Sequence, residues 1–398
     1  MEYDLYGLQL SNFQTPKTPR DLLLSKIISN SALAPFKAEM FGPTPPNIFV
    51  GRAGYPSVQV GPLIGSDEFI DASLFDDPKK WYGLPFEEIV KFRSSLIRGK
   101  KLSHIKKSRE LFDLQDSVLS QKTVDMEVKF KKPPTRSMYF HSVFQPMGPT
   151  GEYESLKLAS NPSIPKKVDS IVNEDITAVT AFSELMDRNY DIYYLQKLLS
   201  AGLLGRQKSK KLVPTRWSIT AADKISADIQ IEKIRELPQL NEILLYSNTY
   251  LANHFEILLL PGNWEYEQFE NWESHESTQG KGWFLEHEYE PFEGRSDYAK
   301  SEGGGYYAGR HSVAQFLAEK LRRQARAVVI REIHKEYDIP VGVWEIRENV
   351  AHAFENPPIK LESMRDAKLL LDSRLQNPAE MYFQKSRILP QRKLMDYS

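Results

Sequence analysis

Residues 254–260 constrain this chain more than any other segment. The run Ile257-Leu258-Leu259-Leu260, entered through His254-Phe255-Glu256, is stopped by Pro261-Gly262. An extended run this apolar suits the centre of a sheet, where both faces are covered. It is far too short for a membrane helix, and no window of the chain approaches 18 uncharged apolar residues. A sheet with a buried central strand needs flanking layers to cover both its faces.

Periodicity supplies both helices and strands. Residues 21–28, 85–98, 108–120, 175–186 and 192–204 read as helices, the last closed by Gly202 and Gly205. Within 85–98, Phe86, Ile89, Val90 and Phe92 form the apolar face. Residues 123–130 alternate as Val124, Met126, Val128 and Phe130, the pattern of a half-buried strand. A short strand is predicted within 45–56, ending in a Gly/Pro turn, and extended structure resumes at 58–60, with further strands at 217–221, 327–333 and 341–346. A helix with Val313, Phe316, Leu317 and Leu321 on its apolar face follows the glycines 303–305, and a last helix covers 347–354. Helices and strands interleave without a clean βαβ repeat. The class predicted is therefore α+β, mixed sheets flanked by helices.

The chain is 398 residues long, 41% apolar and free of cysteine. Its length leaves room for two or three domains. The empty cysteine count excludes disulfides, thiolate nucleophiles and Cys-ligated zinc. Met1-Glu2-Tyr3-Asp4 shows no basic, apolar-cored signal peptide, so the expected setting is the cytoplasm, without a membrane partner. The net charge of -1 gives no global attraction to nucleic acid. That value is a cancellation. Thirteen basic residues against five acidic ones fall between 91 and 136, and residues 310–335 are basic again. Between 256 and 297, eleven acidic residues face only Lys281 and Arg295. Such runs read either as solvated faces or as local patches for DNA.

P-loop, dinucleotide-binding, H-E-x-x-H and G-x-S-x-G signatures are absent from the sequence. His275-Glu276 and Glu286-His287-Glu288 carry ligand-type side chains, yet they lie in an acidic stretch without helical pairing of ligands. A solvated loop is the better reading, and no metal is assigned. Arg216, beside Trp217, could grip a phosphate or carboxylate in two-point fashion, or pair with Asp223 to close a turn. Gly304 and Gly305, ahead of Arg310 and His311, suggest either an anion at a helix N-terminus or a hinge.

Near its C-terminus the chain reads Gln391-Arg392-Lys393-Leu394-Met395-Asp396-Tyr397-Ser398, which fits Q-x-x-[LIM]-x-x-[FY]. This is the box by which replication and repair proteins dock on the sliding clamp. In a 3₁₀ turn residues three apart eclipse, so Leu394 and Tyr397 would form a two-pronged apolar plug, with Gln391 left to hydrogen-bond. Ser398 stands where such boxes usually have a second aromatic.

Longer strings resemble a known family. Asn47-Ile48-Phe49-Val50-Gly51-Arg52-Ala53-Gly54-Tyr55-Pro56, Val213-Pro214-Thr215-Arg216-Trp217, Leu259-Leu260-Pro261-Gly262-Asn263-Trp264, Gly304-Gly305-Tyr306-Tyr307-Ala308-Gly309-Arg310 and Pro340-Val341-Gly342-Val343-Trp344-Glu345-Ile346-Arg347-Glu348 occur in the order of the archaeal Nre family of DNA repair proteins. The resemblance implies an extension over 1–44, an N-terminal domain over 45–275, a smaller helix–strand–strand–helix C-terminal domain over 285–380, and a flexible tail over 386–398. It also implies a role in the DNA damage response and a tail that binds the PCNA clamp through Gln391, Leu394 and Tyr397. Many members carry an N-terminal cysteine cluster of zinc-binding appearance, which this chain lacks.

Two functional readings follow. In one, the protein is a repair factor tethered by PCNA, contacting DNA through local basic patches and recruiting other repair proteins. In the other, Arg52, Arg216, Gly304, Gly305, Arg310 and Arg347 line a phosphate or nucleotide site of an enzyme. Asp223, His254, Glu265 and His311 would then be its acid–base candidates by residue type. No resident cofactor is assigned.

Overall fold

The computed structural model describes residues 36–65, 72–106, 111–134, 139–141, 144–274, 282–337 and 340–390. The helix read at 21–28 and the clamp box at 391–398 lie outside them, as do His275 and Glu276.

The first lobe is built on a seven-stranded sheet. Its strands are β1 (Glu39–Thr44), β2 (Phe49–Val50), β3 (Ser57–Gly61), β4 (Leu63–Gly65), β5 (Leu96–His104) and β6 (Val124–Phe130). A hairpin of β7 (Tyr139–His141) and β8 (Phe144–Met147) precedes the seventh strand, β9 (Thr150–Leu158). The order is β1-β6-β9-β5-β3-β2, with β4 also on β5, and only β5–β9 runs parallel. Strand β6 buries Val124, Met126, Val128 and Phe130, as its alternation predicts. Against it pack helices α3 (Phe112–Leu119), α4 (Lys166–Asn173), α5 (Ala178–Met186) and α6 (Ile192–Ser200), which bring Leu114, Val168, Phe182 and Leu198 to the same core. Two earlier helices, α1 (Pro78–Trp81) and α2 (Phe86–Ser94), face the second lobe, where Trp81 meets Trp344. The helix expected over 85–98 stops at Ser94, because Leu96, Ile97 and Arg98 are drawn into β5 by pairing with β4.

The second lobe is a six-stranded sheet of order β13-β12-β14-β11-β10-β15. It comprises β10 (Ile243–Tyr250), β11 (Asn253–Leu260), β12 (Glu265–Glu273), β13 (Trp283–Glu290), β14 (Arg326–Ile333) and β15 (Ile359–Leu361). The apolar run 254–260 is an interior strand, between β10 and β14. Its Phe255, Ile257 and Leu259 enter one core, and Leu258 and Leu260 enter the core on the opposite face. Helices α7 (Thr215–Arg235), α8 (Gly304–Gln315) and α9 (Trp344–Ala353) cover the first face. Helices α10 (Met364–Arg374) and α11 (Ala379–Lys385) cover the second. The class is α+β, with a larger N-terminal and a smaller C-terminal part. No helix among the described residues is long and apolar enough to cross a membrane.

Three expectations are corrected. Residues 217–221 are not a strand; they open α7, whose 21 residues span about 30 Å. Ser218, Ile219 and Thr220 look extended by composition. Yet Pro214 at the helix entrance and the buried set Ser218, Ala222, Asp223, Ser226 and Ala227 impose helical spacing. Residues 341–346 are not a strand either: Pro340 and Gly342, at φ +114°, turn the chain into α9, which starts at Trp344. The C-terminal part therefore runs helix, strand, helix, strand, helix, helix, and its β14 is inserted between β11 and β12 of the shared sheet. Residues 386–389, expected in the flexible tail, are instead packed: Ser386, Ile388 and Leu389 are buried.

Candidate functional site

Helix α7 is the element that joins the two lobes. Ala222, near its start, belongs to the first core, and Ala227, Ile231 and Ile234 belong to the second. At its N-terminus, Thr215 Oγ1 accepts the Val50 N–H at 2.9 Å, so the end of β2 docks on the first turn of the helix. The chain leaves β2 through the turn Gly51-Arg52-Ala53-Gly54-Tyr55-Pro56 and re-enters the sheet at Ser57. Gly54 sits at φ +78°, and a Cβ there would lie 2.8 Å from the Ser57 carbonyl oxygen, so this turn requires glycine.

The turn places Tyr55 against Trp217, with ring centroids 5.2 Å apart at 51°. The rings are 41% and 44% exposed, whereas Trp81, Trp264 and Trp344 are buried. Arg52 and Arg216, one from each segment, are also exposed. Two strings far apart in sequence thus meet at the surface through their aromatic rings.

A groove adjoins it. Thr177, Ala178, Leu199, Gly205, Arg206, Ser209, Lys211 and Val213 line a cavity of about 230 Å3. The loop that forms it is held at both ends. Asp175 accepts the Gln207 amide at 2.8 Å, and Val213 N–H donates to the Ser200 carbonyl at 3.0 Å. Gly202, at φ +68°, lets α6 approach the loop, where a Cβ would meet the Lys211 carbonyl at 2.6 Å. Leu212 N–H donates to Ile105 O, and Ile105 N–H to Pro56 O, at 2.9 and 3.0 Å. Those two bonds connect the groove to the Tyr55 turn. A simple signal marks this surface in the sequence: between residues 192 and 222 there are six basic residues and no acidic one. The basic segments at 91–136 and 310–335 are interrupted by acids.

The other arginines of the family-like strings are in a different environment. Arg310 is buried, its Nη2 and Nε on Glu290 Oε1 at 2.7 and 3.2 Å and its Nη1 on Asp228 at 2.9 Å. Arg347 is buried against Asp223, Nε to Oδ1 at 2.9 Å and Nη2 to Oδ2 at 2.8 Å. Carboxylates of the chain itself fill both forks, so the family-like arginines divide between an exposed pair and a buried pair. Burial raises the Asp223 carboxyl, and the two-point contact with the Arg347 guanidinium opposes that shift. Gly304 and Gly305 are packing positions. A Cβ on Gly304 would lie 3.4 Å from Thr220 Oγ1, and one on Gly305 would lie 2.5 Å from Glu270 Oε1.

The acid–base candidates are spread across the second lobe. His254 Nδ1 lies 2.7 Å from Thr249 Oγ1 and its Nε2 lies 3.1 Å from Glu256. Glu265 accepts from the Tyr289 hydroxyl at 3.3 Å, and burial raises its carboxyl. His254 and Glu265 pair with Glu332 and Arg326, at opposite ends of β14, so about 20 Å separates them. His311 is buried, and burial, then Arg347 and Lys79, lower its imidazole to about 3. Residues 286–288 form part of β13, where His287 faces Glu267 at 2.7 Å and Glu288 binds Arg295 at 2.8 Å. Among the described residues no group of three His, Asp or Glu is spaced to hold a metal ion.

Comparison with known proteins agrees with the strings. The family described as Archaeal Nre, N-terminal, matches residues 22–278, and that described as Archaeal Nre, C-terminal, matches residues 290–397. The chain is 37% identical over 344 residues to DNA repair protein NreA of Archaeoglobus fulgidus, covering 85% of this chain and 86% of the relative. It is 33% identical over 355 residues to DNA repair protein NreB of the same organism, covering 88% and 89%. Similarity to DNA repair protein NreA of Haloferax volcanii is 34% over 348 residues, covering 82% and 81%. No solved structure gives a significant match.

Proposed function

The chain belongs to the archaeal Nre family, and on that premise we propose that it is a DNA repair factor brought to its substrate by the PCNA sliding clamp. The observation that carries the repair role is near-full-length similarity to three relatives that are each named a DNA repair protein. The clamp assignment rests on Gln391, Leu394 and Tyr397 at box spacing. Bound to a clamp, one 3₁₀ turn would direct Leu394 and Tyr397 into the same apolar pocket.

The geometry before the box fits a tether. Ile388 and Leu389 are buried, and buried Glu267 accepts the Ser386 hydroxyl together with the Arg387 amide at 2.7 Å. Only Pro390 separates this anchored root from Gln391. A clamp held there would keep the body within a few residues of DNA, raising the effective concentration of a weak local contact. The protein then works in the cytoplasm without a net positive field, the clamp supplying the address.

The test is retention of the full-length protein on immobilised archaeal PCNA, against the protein lacking 391–398. The tether predicts loss of retention on truncation and on Leu394→Ala with Tyr397→Ala. Equal retention of the truncated protein would sink it.

A further inference from the structure

We propose that the Tyr55–Trp217 pair and the neighbouring Arg206–Lys211 groove form a binding site for single-stranded DNA. An unstacked base would lie on the rings, and the groove would hold the phosphates. The inference rests on the repair reading above and names the form of DNA that reading leaves open.

Four observations converge on it. Two large rings touch each other while remaining more than two-fifths exposed, which ordinary surface aromatics buried against the core do not do. Every base has a π-face, so an exposed aromatic platform binds single strands whatever their sequence. Arg216 precedes Trp217 in sequence and Arg52 lies in the turn that carries Tyr55, both exposed, and guanidinium groups both neutralise phosphate and stack on bases. The groove carries Arg206 and Lys211 with the Ser209 hydroxyl, and the stretch from 192 to 222 contributes no carboxylate.

Spacing supports one continuous site. From Val213 on the groove wall to Trp217 is four residues, at most about 14 Å of chain. A stacked strand covers that distance in about four nucleotides. In a duplex the base faces are occupied by their neighbours, so the rings would have nothing to stack on. The platform therefore favours strand over duplex. With a net charge of -1, no general field masks that preference.

Fluorescence anisotropy of full-length protein with a labelled oligothymidine, and with a duplex of equal length, tests this. The expected result is tighter binding of the strand, weakening as salt rises, with quenching of tryptophan fluorescence. Trp217→Ala and Tyr55→Ala should each weaken strand binding by about tenfold, with unchanged melting temperature because both rings are exposed. Arg206→Glu with Lys211→Glu should flatten the salt dependence. Duplex bound as tightly as strand, or aromatic variants that keep strand affinity, would overturn the proposal. So would loss of binding in the groove variant alone, which marks an unspecific phosphate surface. Unquenched tryptophan, with the rings capturing a peptide partner instead, would also overturn it. PCNA retention is measured on the same samples. Strand binding without PCNA retention removes the tether and leaves this site standing, whereas PCNA retention without strand binding does the reverse.

Discussion

Arg347 and Asp223, 124 positions apart in sequence, meet in the interior through two parallel hydrogen bonds of 2.9 and 2.8 Å. The contact ties α9 to α7. The Arg347 guanidinium also stacks on the Tyr193 ring at 4.6 Å, and the Tyr193 hydroxyl donates to Glu348 at 2.5 Å, so α6 joins the same network. Desolvating two charges is costly, and the two-point contact between them offsets that cost.

Removing one partner leaves the other as an uncompensated buried charge. Arg347→Met is expected to destabilise the protein by about 3–5 kcal/mol in urea unfolding. Arg347→Met combined with Asp223→Leu should cost less than the two single changes added together. Additive losses would mean that the pair does not act as a unit.

Buried His311 makes the acid limb of stability steeper. Its folded value, about 3, lies below its ordinary 6.5, because burial and then Arg347 and Lys79 disfavour the imidazolium. The unfolded chain binds the proton more readily. This contribution is therefore complete above pH 6.5 and is lost as pH falls toward 3, at up to about 1.4 kcal/mol per pH unit. Unfolding free energies measured between neutral and mildly acidic pH should show a shallower decline for His311→Leu than for the wild type.

Glu302 acts in the opposite direction. It is buried at the entrance to α8, and among the described residues neither carboxylate oxygen has a hydrogen-bond partner. Burial, then the Glu270 and Glu288 carboxylates, hold its carboxyl well above 4.5. The folded state binds the proton more tightly, so this contribution is present below pH 4.5 and lost as pH rises through the folded value. Glu302→Gln keeps the shape without the titration. It should be more stable than wild type at neutral pH, and the two should converge in acid. Thermal melts across that range decide it.

The root of the C-terminal segment depends on Glu267. Its carboxylate accepts the Ser386 hydroxyl and the Arg387 and Ile388 amides, and His287 Nε2 lies 2.7 Å away. Glu267→Ala should cost about 2 kcal/mol or more and speed amide hydrogen exchange at residues 387–389. Unchanged exchange there would show that apolar packing of Ile388 and Leu389 alone holds the root.

Some of this was open to inspection in the sequence. The alternation from 124 to 130 and the apolar run from 254 to 260 each act through neighbours within a few residues, so their patterns survive as strands. Helix α10 was also legible, because Ser363 caps it at the Asp366 amide, three residues on. The start of α7 is hidden in the sequence because the β-branched residues at 219 and 220 speak for a strand while the partner surface is unknown. The five family-like strings located most of the residues discussed here, but could not say which arginines were exposed.

The sequence by itself determined the α+β class, the cancellation of charge, the absence of thiol chemistry and the family. Tertiary structure decided which charges face water. Arg310 and Arg347 are of the same residue type as Arg52 and Arg216, and they sit in comparable strings. Their roles separate because Glu290, Asp228 and Asp223 reach the first two in the interior. The Tyr55 turn, by contrast, lies on the surface, where the α7 entrance brings Trp217 beside it. Pairing across such separations depends on how α7 spans two cores, which no local pattern encodes.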